Sequence, residues 1–144
     1  MAKIWSHDLT LESINKFNQD TLVSHLDIKI TEFGDDTLTG TMPVDERTFQ
    51  PYRLLHGGAS CVLAESLGSI AANLTLDNKV EVAVGQHIEA THLRPVTSGR
   101  VKGIAKNVHK GKSSQLWKIE IYNEDNKLVC DSKILMAIIK KPNA

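Results

Sequence analysis

The sequence has little of the features that mark specialised classes of protein. Two of its 144 residues are cysteine, and Cys61 and Cys130 lack the spacing of a zinc site or a disulfide framework. Lys plus Arg and Asp plus Glu both total 17, so no net charge attracts nucleic acid or an anionic membrane. Aromatic residues make up only 5% and are not interleaved with basic ones, which also argues against nucleic-acid binding.

Long apolar runs are also missing. No stretch approaches the ~18 apolar residues of a membrane helix, and the N-terminal segment lacks the apolar region of a signal peptide. We therefore expect a cytoplasmic protein without a membrane span. The 41% apolar and 24% charged content indicates one globular domain over residues 1–144, with both cysteines as small buried residues.

The periodicity of apolar residues predicts an α+β domain. Thr10 is placed to cap a short helix, and residues 26–30 and 37–44 form a predicted hairpin around a turn at Gly34–Asp36. A long helix is predicted over residues 54–76, followed by strands in residues 79–93, 99–108, 114–122 and 128–139. Because the connections between these strands are too short for a crossover helix, we expect each strand to pair antiparallel with its neighbours in sequence. The expected architecture is a sheet of about six antiparallel strands with one long helix inserted after the second.

The long helix carries a single charge between Gly57 and Leu74, the carboxylate of Glu65. At about 100° per residue, an apolar stripe of Leu63, Leu67, Ile70 and Leu74 is expected to lie on the sheet. The opposite side holds small or uncharged residues beside Glu65: Gly58, Cys61, Gly68, Ser69 and Ala72. A water-facing side normally carries charges, so this side is expected to contact a second copy of the chain.

The segment before the helix supplies groups suited to acyl transfer. Gln50 and His56 precede a Gly57–Gly58 helix start, where unpaired N–H groups and the helix dipole favour negative charge. An acyl carbonyl against the Gly57 N–H would have its developing oxyanion stabilised, and Glu65 would act on its carbon as base or nucleophile. Eight residues of helix separate the two groups by roughly 12 Å, so two antiparallel copies would bring them together better than one chain. From composition alone, Glu65 fits a solvated residue or a structural ion pair equally well.

Residues 47–69, "RTFQPYRLLHGGASCVLAESLGS", with "MPVDE" before them and "THLRPV" after, resemble the hotdog-fold acyl-CoA thioesterases. The bacterial group most similar contains the 1,4-dihydroxy-2-naphthoyl-CoA thioesterase and the enterobactin-pathway proofreading thioesterase. The resemblance covers nearly the whole chain. It implies a long helix wrapped by an antiparallel sheet, two chains sharing a continuous sheet, and dimers paired into a homotetramer.

The resemblance also implies residue roles. Glu65 would be the catalytic carboxylate and the Gly57 N–H the oxyanion donor. Gln50 and His56 would lie near the thioester, and Ser69 would position Glu65 or water. His92 would line the acyl or pantetheine region, although a histidine at a strand end is often structural. Its even spacing from Val80, Val82, Val84 and Ile88 puts His92 on the face of that apolar row unless a bulge intervenes.

Coenzyme A, as part of the substrate, is the only cofactor-like group implied. For it we expect basic residues near a subunit edge: Arg94, Lys110 and Lys112, with Gly111 opening a turn, in a group that also includes Arg100 and Lys106. A solvated hairpin tip explains any one of these lysines equally well. No metal is expected, since no histidine pair has helical ligand spacing, and no G-x-S-x-G elbow marks a serine nucleophile.

Two stretches depart from the family pattern. Gln86, His87, Glu89 and Thr91 replace apolar or amide residues, and Arg53 replaces a small one. We expect these changes to alter the acyl-pocket lining or substrate entry more than the catalytic core.

The sequence therefore predicts hydrolysis of a thioester of coenzyme A or of acyl carrier protein, with an aromatic or medium-chain acyl group. A hotdog dehydratase or hydratase using His56 and Glu65, and a non-catalytic acyl-CoA binding module, are the alternatives.

Overall fold

The structure, a computed structural model, describes residues 3–143. Along the chain the elements are helices α1 (Leu11–Phe17) and α2 (Leu22–His25), strands β1 (Lys29–Phe33) and β2 (Thr37–Pro43), helix α3 (Gly57–Leu74), and strands β3 (Glu81–His92), β4 (Arg100–Lys110), β5 (Ser114–Tyr122) and β6 (Leu128–Lys140). The six strands form one antiparallel sheet in the order β1-β2-β4-β5-β6-β3. The predicted α+β architecture, a sheet around one long helix, is confirmed.

Local signals place most of these elements correctly. The Thr10 side chain accepts a hydrogen bond from the Ser13 N–H and begins α1. The predicted hairpin is β1–β2, closed where the Gly34 N–H donates to the Thr37 carbonyl. Helix α2, which begins with a capping box at Thr21, was not predicted, because four residues are too few to show a helical period.

The pairing of β3 differs from the prediction. Strand β3 does not pair with β4, its successor in sequence, but with β6 at the far side of the sheet. The connecting residues 93–99 can span roughly 23 Å when extended, which exceeds the ~14 Å across three strand spacings. A connection too short for a helix is therefore long enough to cross the end of a curved sheet.

Helix α3 is buried over a wider arc than its leucine stripe predicts. Leu63 and Leu67 are fully buried as expected. Gly68 and Ala72, which were predicted to contact a second copy of the chain, are also buried within the single chain. A side chain at Gly68 would lie 2.4 Å from Ile134 Cγ2 of β6, so the glycine allows the sheet to approach the helix. Ile70 and Leu74 are only partly buried, because they lie at the other margin of this arc.

A buried polar network fixes the C-terminal end of α3. Gln115 donates to the Thr75 hydroxyl at 2.8 Å and accepts from the Trp117 indole N–H at 2.8 Å. Trp117 stacks on Trp5, with ring centroids 6.3 Å apart. Because every partner in this network is satisfied, it holds the end of the helix at a defined point on the sheet. Within residues 3–143, no helix is long and apolar enough to cross a membrane.

Candidate active site

Glu65 lies at the middle of α3, on the margin of the buried arc, and its side chain is exposed in the single chain. Its carboxylate faces the backbone of Gly85 on edge strand β3: a Cβ at Gly85 would lie 2.9 Å from Glu65 Oε2. Gly85 thus provides the space that the carboxylate occupies. This role of Gly85 was not predicted, although a glycine inside a strand pattern is a signal for a bulge or a close approach.

A β-bulge follows Gly85 and changes which residues of β3 face the helix. The register of β3 against β6 shifts between Gly85 and His87. Before the bulge, odd-numbered positions face α3; beyond it, even-numbered positions do, so Gly85 and His92 share the helix side although seven residues separate them. The exception made for a bulge in the prediction therefore applies: His92 shares a face with Ile88, but not with Val80 and Val84, which precede the bulge and are exposed.

His92 lies against the N-terminus of α3. A Cβ at Gly57 would be 2.8 Å from His92 Nε2, so only glycine leaves room for the imidazole there. His56 is the N-cap, and its Nδ1 accepts a hydrogen bond of 2.8 Å from the Gly58 N–H. Within residues 3–143, the Gly57 N–H donates to no protein acceptor. The structure therefore brings His56, Gly57 and His92 together, with one backbone donor free.

Gln50 belongs to a tight loop before this helix end. Its side-chain carbonyl accepts from the Tyr52 N–H, and its backbone N–H donates to the Leu54 carbonyl at 2.8 Å. Arg53 has a positive φ of 64° and its guanidinium lies over the Phe49 ring, 5.9 Å from the centroid. Arg53 is thus turned to the outside of the loop.

A cavity of about 430 Å³ adjoins Glu65 between α3 and the α1–α2 segment. Ser69 shares this cavity with Glu65, as its predicted positioning role requires, and apolar walls come from Leu22, Val23, Cys61, Val62 and Ile70. A second cavity of about 480 Å³ shares Asn18, Ser69 and Ile70 with the first and extends toward Leu74. Together they form an apolar groove along the outer side of α3, with a carboxylate at one end.

The basic residues predicted to bind coenzyme A do not form one cluster in the single chain. Arg94 follows His92 at the N-terminal end of α3, whereas Lys110–Lys112 form the β4–β5 turn beside Ser114, close to the helix C-terminus. An 18-residue helix, roughly 27 Å long, lies between them. Arg100 is committed to Asp27, with its Nη1 2.9 Å from the carboxylate, and Lys106 is 4.0 Å from that of Asp36.

The two thiols are poor candidates for nucleophiles. Burial raises the pKa of the Cys61 thiol, and the nearby Glu65 carboxylate raises it further. Burial raises the pKa of Cys130 to about 11. Both are free cysteines; Cys130 is buried as predicted, whereas Cys61 is only partly buried and lines the cavity beside Glu65. In the described part of the chain, no group of three or more metal-ligating side chains is found.

Four of the five departures from the family pattern lie on β3, at the bulge or beyond it, and the fifth is Arg53 in the loop before α3. Gln86, His87 and Glu89 are all exposed, and none of them lines the two cavities beside α3. In the single chain these three residues therefore lie on the outer part of the edge strand, and their expected effect on the acyl-pocket lining or on substrate entry stays a prediction.

Comparison with known proteins identifies the family. Residues 52–130 match the thioesterase superfamily. The chain is 48% identical over 136 residues to the 1,4-dihydroxy-2-naphthoyl-CoA hydrolase of Escherichia coli, covering 94% of this chain and 99% of that protein. It is 47% identical over 136 residues to the proofreading thioesterase EntH of Cronobacter turicensis, covering 94% and 98%.

Solved structures agree with this assignment. A thioesterase from Haemophilus influenzae superposes with a TM-score of 0.92 at 44% identity, covering 95% of each chain. A mutant thioesterase from Pseudomonas aeruginosa gives 0.95 at 40% identity, covering 96% of this chain and all of that one (100%). The chain therefore belongs to the thioesterase superfamily, adopts the hotdog fold and is a thioester hydrolase.

Proposed function

We propose that the protein hydrolyses acyl-CoA thioesters with Glu65 as the catalytic carboxylate. The observation that carries this proposal is the place of Glu65, the one carboxylate on the exposed margin of α3, at the mouth of an apolar groove. Glu65 either removes a proton from the attacking water or attacks the carbonyl carbon itself to give an anhydride that water then opens. In both routes the thioester C–S bond breaks, and the products are a carboxylic acid and free coenzyme A.

A complete site on this proposal needs two copies of the chain. The free Gly57 N–H suits an oxyanion, because it lies at the positive end of α3. Along one helix it is roughly 12 Å from Glu65, too far for both to act on one carbonyl. Antiparallel pairing of two β3 edges would bring Gly57, His56 and Gln50 of one copy toward Glu65 of the other. We therefore propose a homodimer as the catalytic unit.

The groove beside Glu65 supports an aromatic or medium-chain acyl group. Its walls expose mainly apolar surface, with polar side chains among them, and cavities of about 430 and 480 Å³ are of the size that holds small-molecule ligands. Ser69 lies where both cavities meet and offers a hydroxyl to the carboxylate or to water. One relative is named as the hydrolase of an aryl-CoA, 1,4-dihydroxy-2-naphthoyl-CoA, and this supports an aromatic acyl group in particular.

The proposed coenzyme A site draws on different copies. Arg94 and Lys110–Lys112 lie at opposite ends of α3 within one chain, so one nucleotide would meet both only across subunits. A dimer of dimers provides such contacts, and we propose this assembly with coenzyme A, or the phosphopantetheine arm of acyl carrier protein, as the bound thiol. The proposed reaction uses no other cofactor.

A thiol-release assay tests the proposal. The wild type is given benzoyl-CoA, hexanoyl-CoA, decanoyl-CoA and decanoyl-acyl carrier protein, and free thiol is measured. Glu65→Ala and the isosteric Glu65→Gln are expected to lose at least ~10²-fold in kcat, the effect typical of a positioned acid or base. Glu12→Gln, an exposed carboxylate on α1, is the matched control and should keep full activity.

Three results would contradict the proposal. Near-normal turnover by Glu65→Gln would remove Glu65 from the chemistry. If an enoyl-CoA were converted without thiol release, the hydratase alternative would replace hydrolysis, and tight binding without any turnover would favour the binding module.

A further inference from the structure

Asn73, near the end of α3, ties the helix to edge strand β3 through its side-chain amide. Its Oδ1 accepts from the Ala83 N–H at 2.9 Å, and its Nδ2 donates to the Ala83 carbonyl at 3.0 Å. The same Nδ2 donates to the Ser69 carbonyl, one turn earlier in the helix, at 2.9 Å. One amide therefore bonds both backbone groups of a strand residue and is itself oriented by the helix.

The two groups of Ala83 lie on the free side of β3. Ala83 faces Ile138 of β6, and the Ile138 N–H donates to Ser113, on the side of β5. In an antiparallel ladder, facing residues either bond each other or both point away, so the Ala83 N–H and carbonyl point away from β6. Asn73 thus takes the place that a neighbouring strand would occupy.

The hydrogen bonds between the Asn73 amide and both backbone groups of Ala83 form a clamp, which fixes the strand beside Glu65. Gly85 lies two residues beyond Ala83, on the same face of the strand and before the bulge. Its backbone is the surface against which the Glu65 carboxylate lies. If β3 moved away from the helix at this point, the carboxylate would lose that support.

The opposite edge of the sheet has the same arrangement of hydrogen bonds, at a place where no catalytic carboxylate is proposed. Asn15 of α1 accepts from the Ile30 N–H at 2.9 Å and donates to the Ile30 carbonyl at 2.9 Å and to the Leu11 carbonyl at 3.0 Å. Each amide therefore makes the same three contacts: both backbone groups of an edge-strand residue and a carbonyl one helical turn earlier. Asn15 is thus a built-in control for the structural contribution of such a clamp.

We infer that Asn73 is a positioning residue for Glu65, holding the start of β3 on α3 so that Gly85 keeps the carboxylate in its reactive place. This inference depends on the proposed role of Glu65. Asn73 also lines the second cavity of the groove, but the inference assigns it no contact with the substrate carbonyl and no proton transfer.

The test compares Asn73→Ala with Asn15→Ala in the full-length protein. Thermal midpoint, kcat and KM are measured with whichever of benzoyl-CoA and decanoyl-CoA the wild type hydrolyses faster. Both variants should lose similar thermal stability. Asn73→Ala should lose roughly 10-fold in kcat with KM within about twofold, because misplacing a reacting group lowers kcat. Asn15→Ala should keep kcat within about twofold of the wild type.

A double-variant measurement adds a readout that a purely structural role would not change. Gly85→Ala should lower kcat less in the Asn73→Ala background than in the wild type, since a released strand makes room for the added methyl group. In the Asn15→Ala background the two effects should multiply.

Equal kcat for Asn73→Ala and Asn15→Ala would overturn the inference. If Asn73→Ala does not fold, Asn73→Asp and Asn15→Asp replace the pair, because Asp keeps the acceptor and loses the donor, and the same contrast in kcat is required. Glu65→Ala, assayed in parallel, separates the two claims: full activity there defeats the proposed function, whereas loss there with equal Asn variants defeats only the positioning role.

Discussion

The two edges of the sheet are built alike at one point and differ beyond it. At each edge a helical asparagine clamps a strand residue, Ile30 on β1 and Ala83 on β3, and a bulge follows the clamped residue. Strand β1 then ends at Phe33, after five residues, and packs beneath α1. Strand β3 runs twelve residues to His92, and no strand formed by residues 3–143 lies on its outer side.

The difference between β1 and β3 shows two treatments of a sheet edge: the β1 edge is protected from pairing, and the β3 edge is left available for it. A short, bulged edge covered by a helix offers little backbone for another strand to pair with. The long edge exposes backbone donors and acceptors, and the candidate site groups lie directly beneath it: Glu65 against Gly85, and Gly57 against His92. The open edge therefore belongs to the same region as the proposed chemistry.

The largest effect is expected from blocking the open edge with Ala90→Pro. The Leu93 N–H donates to Val129 of β6, so by alternation the Ala90 N–H points to the free side. Proline there removes a donor needed by a second copy but leaves the bonds to β6 intact. We expect light scattering to give the mass of a single chain, 15.9 kDa, and kcat to fall by at least ~10²-fold, since the proposed site needs two copies.

Phe33→Pro is the counterpart on the short edge. The Gly34 N–H bonds the Thr37 carbonyl, so the Phe33 N–H points away from β2 by the same alternation. This variant should keep the oligomeric mass and the activity of the folded fraction. A fully active single chain of Ala90→Pro would show that one copy suffices.

Smaller effects are expected from replacing two glycines, Gly85 and Gly40, by alanine: one substitution should lower turnover and the other should lower stability. A methyl group at Gly85 would lie 2.9 Å from the Glu65 carboxylate, whereas one at Gly40, which pairs with β1, would lie 2.7 Å from Leu67 Cδ2. Gly85→Ala should lower kcat by roughly 10-fold with little change in the thermal midpoint. Gly40→Ala should cost about 1–3 kcal/mol of unfolding free energy through overpacking, with kcat unchanged in the folded protein.

Urea unfolding and thiol-release assays on both variants check that one loses turnover and the other loses stability. The comparison fails if Gly85→Ala destabilises the protein as much as Gly40→Ala does, because the glycine would then serve packing and not the carboxylate.

The smallest effect concerns the ion pair before β1. Burial raises the pKa of the Asp27 carboxyl, but the hydrogen bond from Arg100 and the charge of Lys29 outweigh it, so the pKa lies below 3.8. A lowered folded-state pKa stabilises the protein above the unfolded-state value, and this contribution is lost as the pH falls through the folded-state value. Asp27→Asn should cost less than about 1 kcal/mol at pH 7, and the difference from the wild type should shrink as the pH falls below 3.8 and through the lower folded-state pKa.

Urea unfolding at several pH values measures that difference, and kcat at pH 7 should not change. A difference that does not shrink as the pH falls below 3.8 would show that the substitution acts through packing.

Much of the molecule follows from local signals in the sequence. The Thr10 cap, the β1–β2 hairpin and the limits of β5 were predicted because each depends on residues close together in the chain. Glu65 was predicted to be functional because it is the single charged residue in a helix of small and apolar residues. These signals required no knowledge of the sheet order.

The errors arise where distant segments decide the outcome. The pairing of β3 with β6 depends on how the curved sheet lets residues 93–99 cross its end. The bulge after Gly85 reverses the side on which His92 lies, and alternation along the sequence could not show whether a bulge was present. The burial of Gly68 depends on Ile134, which lies 66 positions later. Sequence spacing describes one element at a time and does not contain these contacts.

The stacked pair of Trp5 and Trp117 makes the protein easy to follow optically. These are the chain's two tryptophans, and neither lines the cavity beside Glu65. Their fluorescence and near-ultraviolet dichroism should therefore report the unstacking of the indoles as the helix end leaves the sheet. A variant that keeps this spectrum and its melting curve but loses turnover has been damaged in its chemistry and not in its fold.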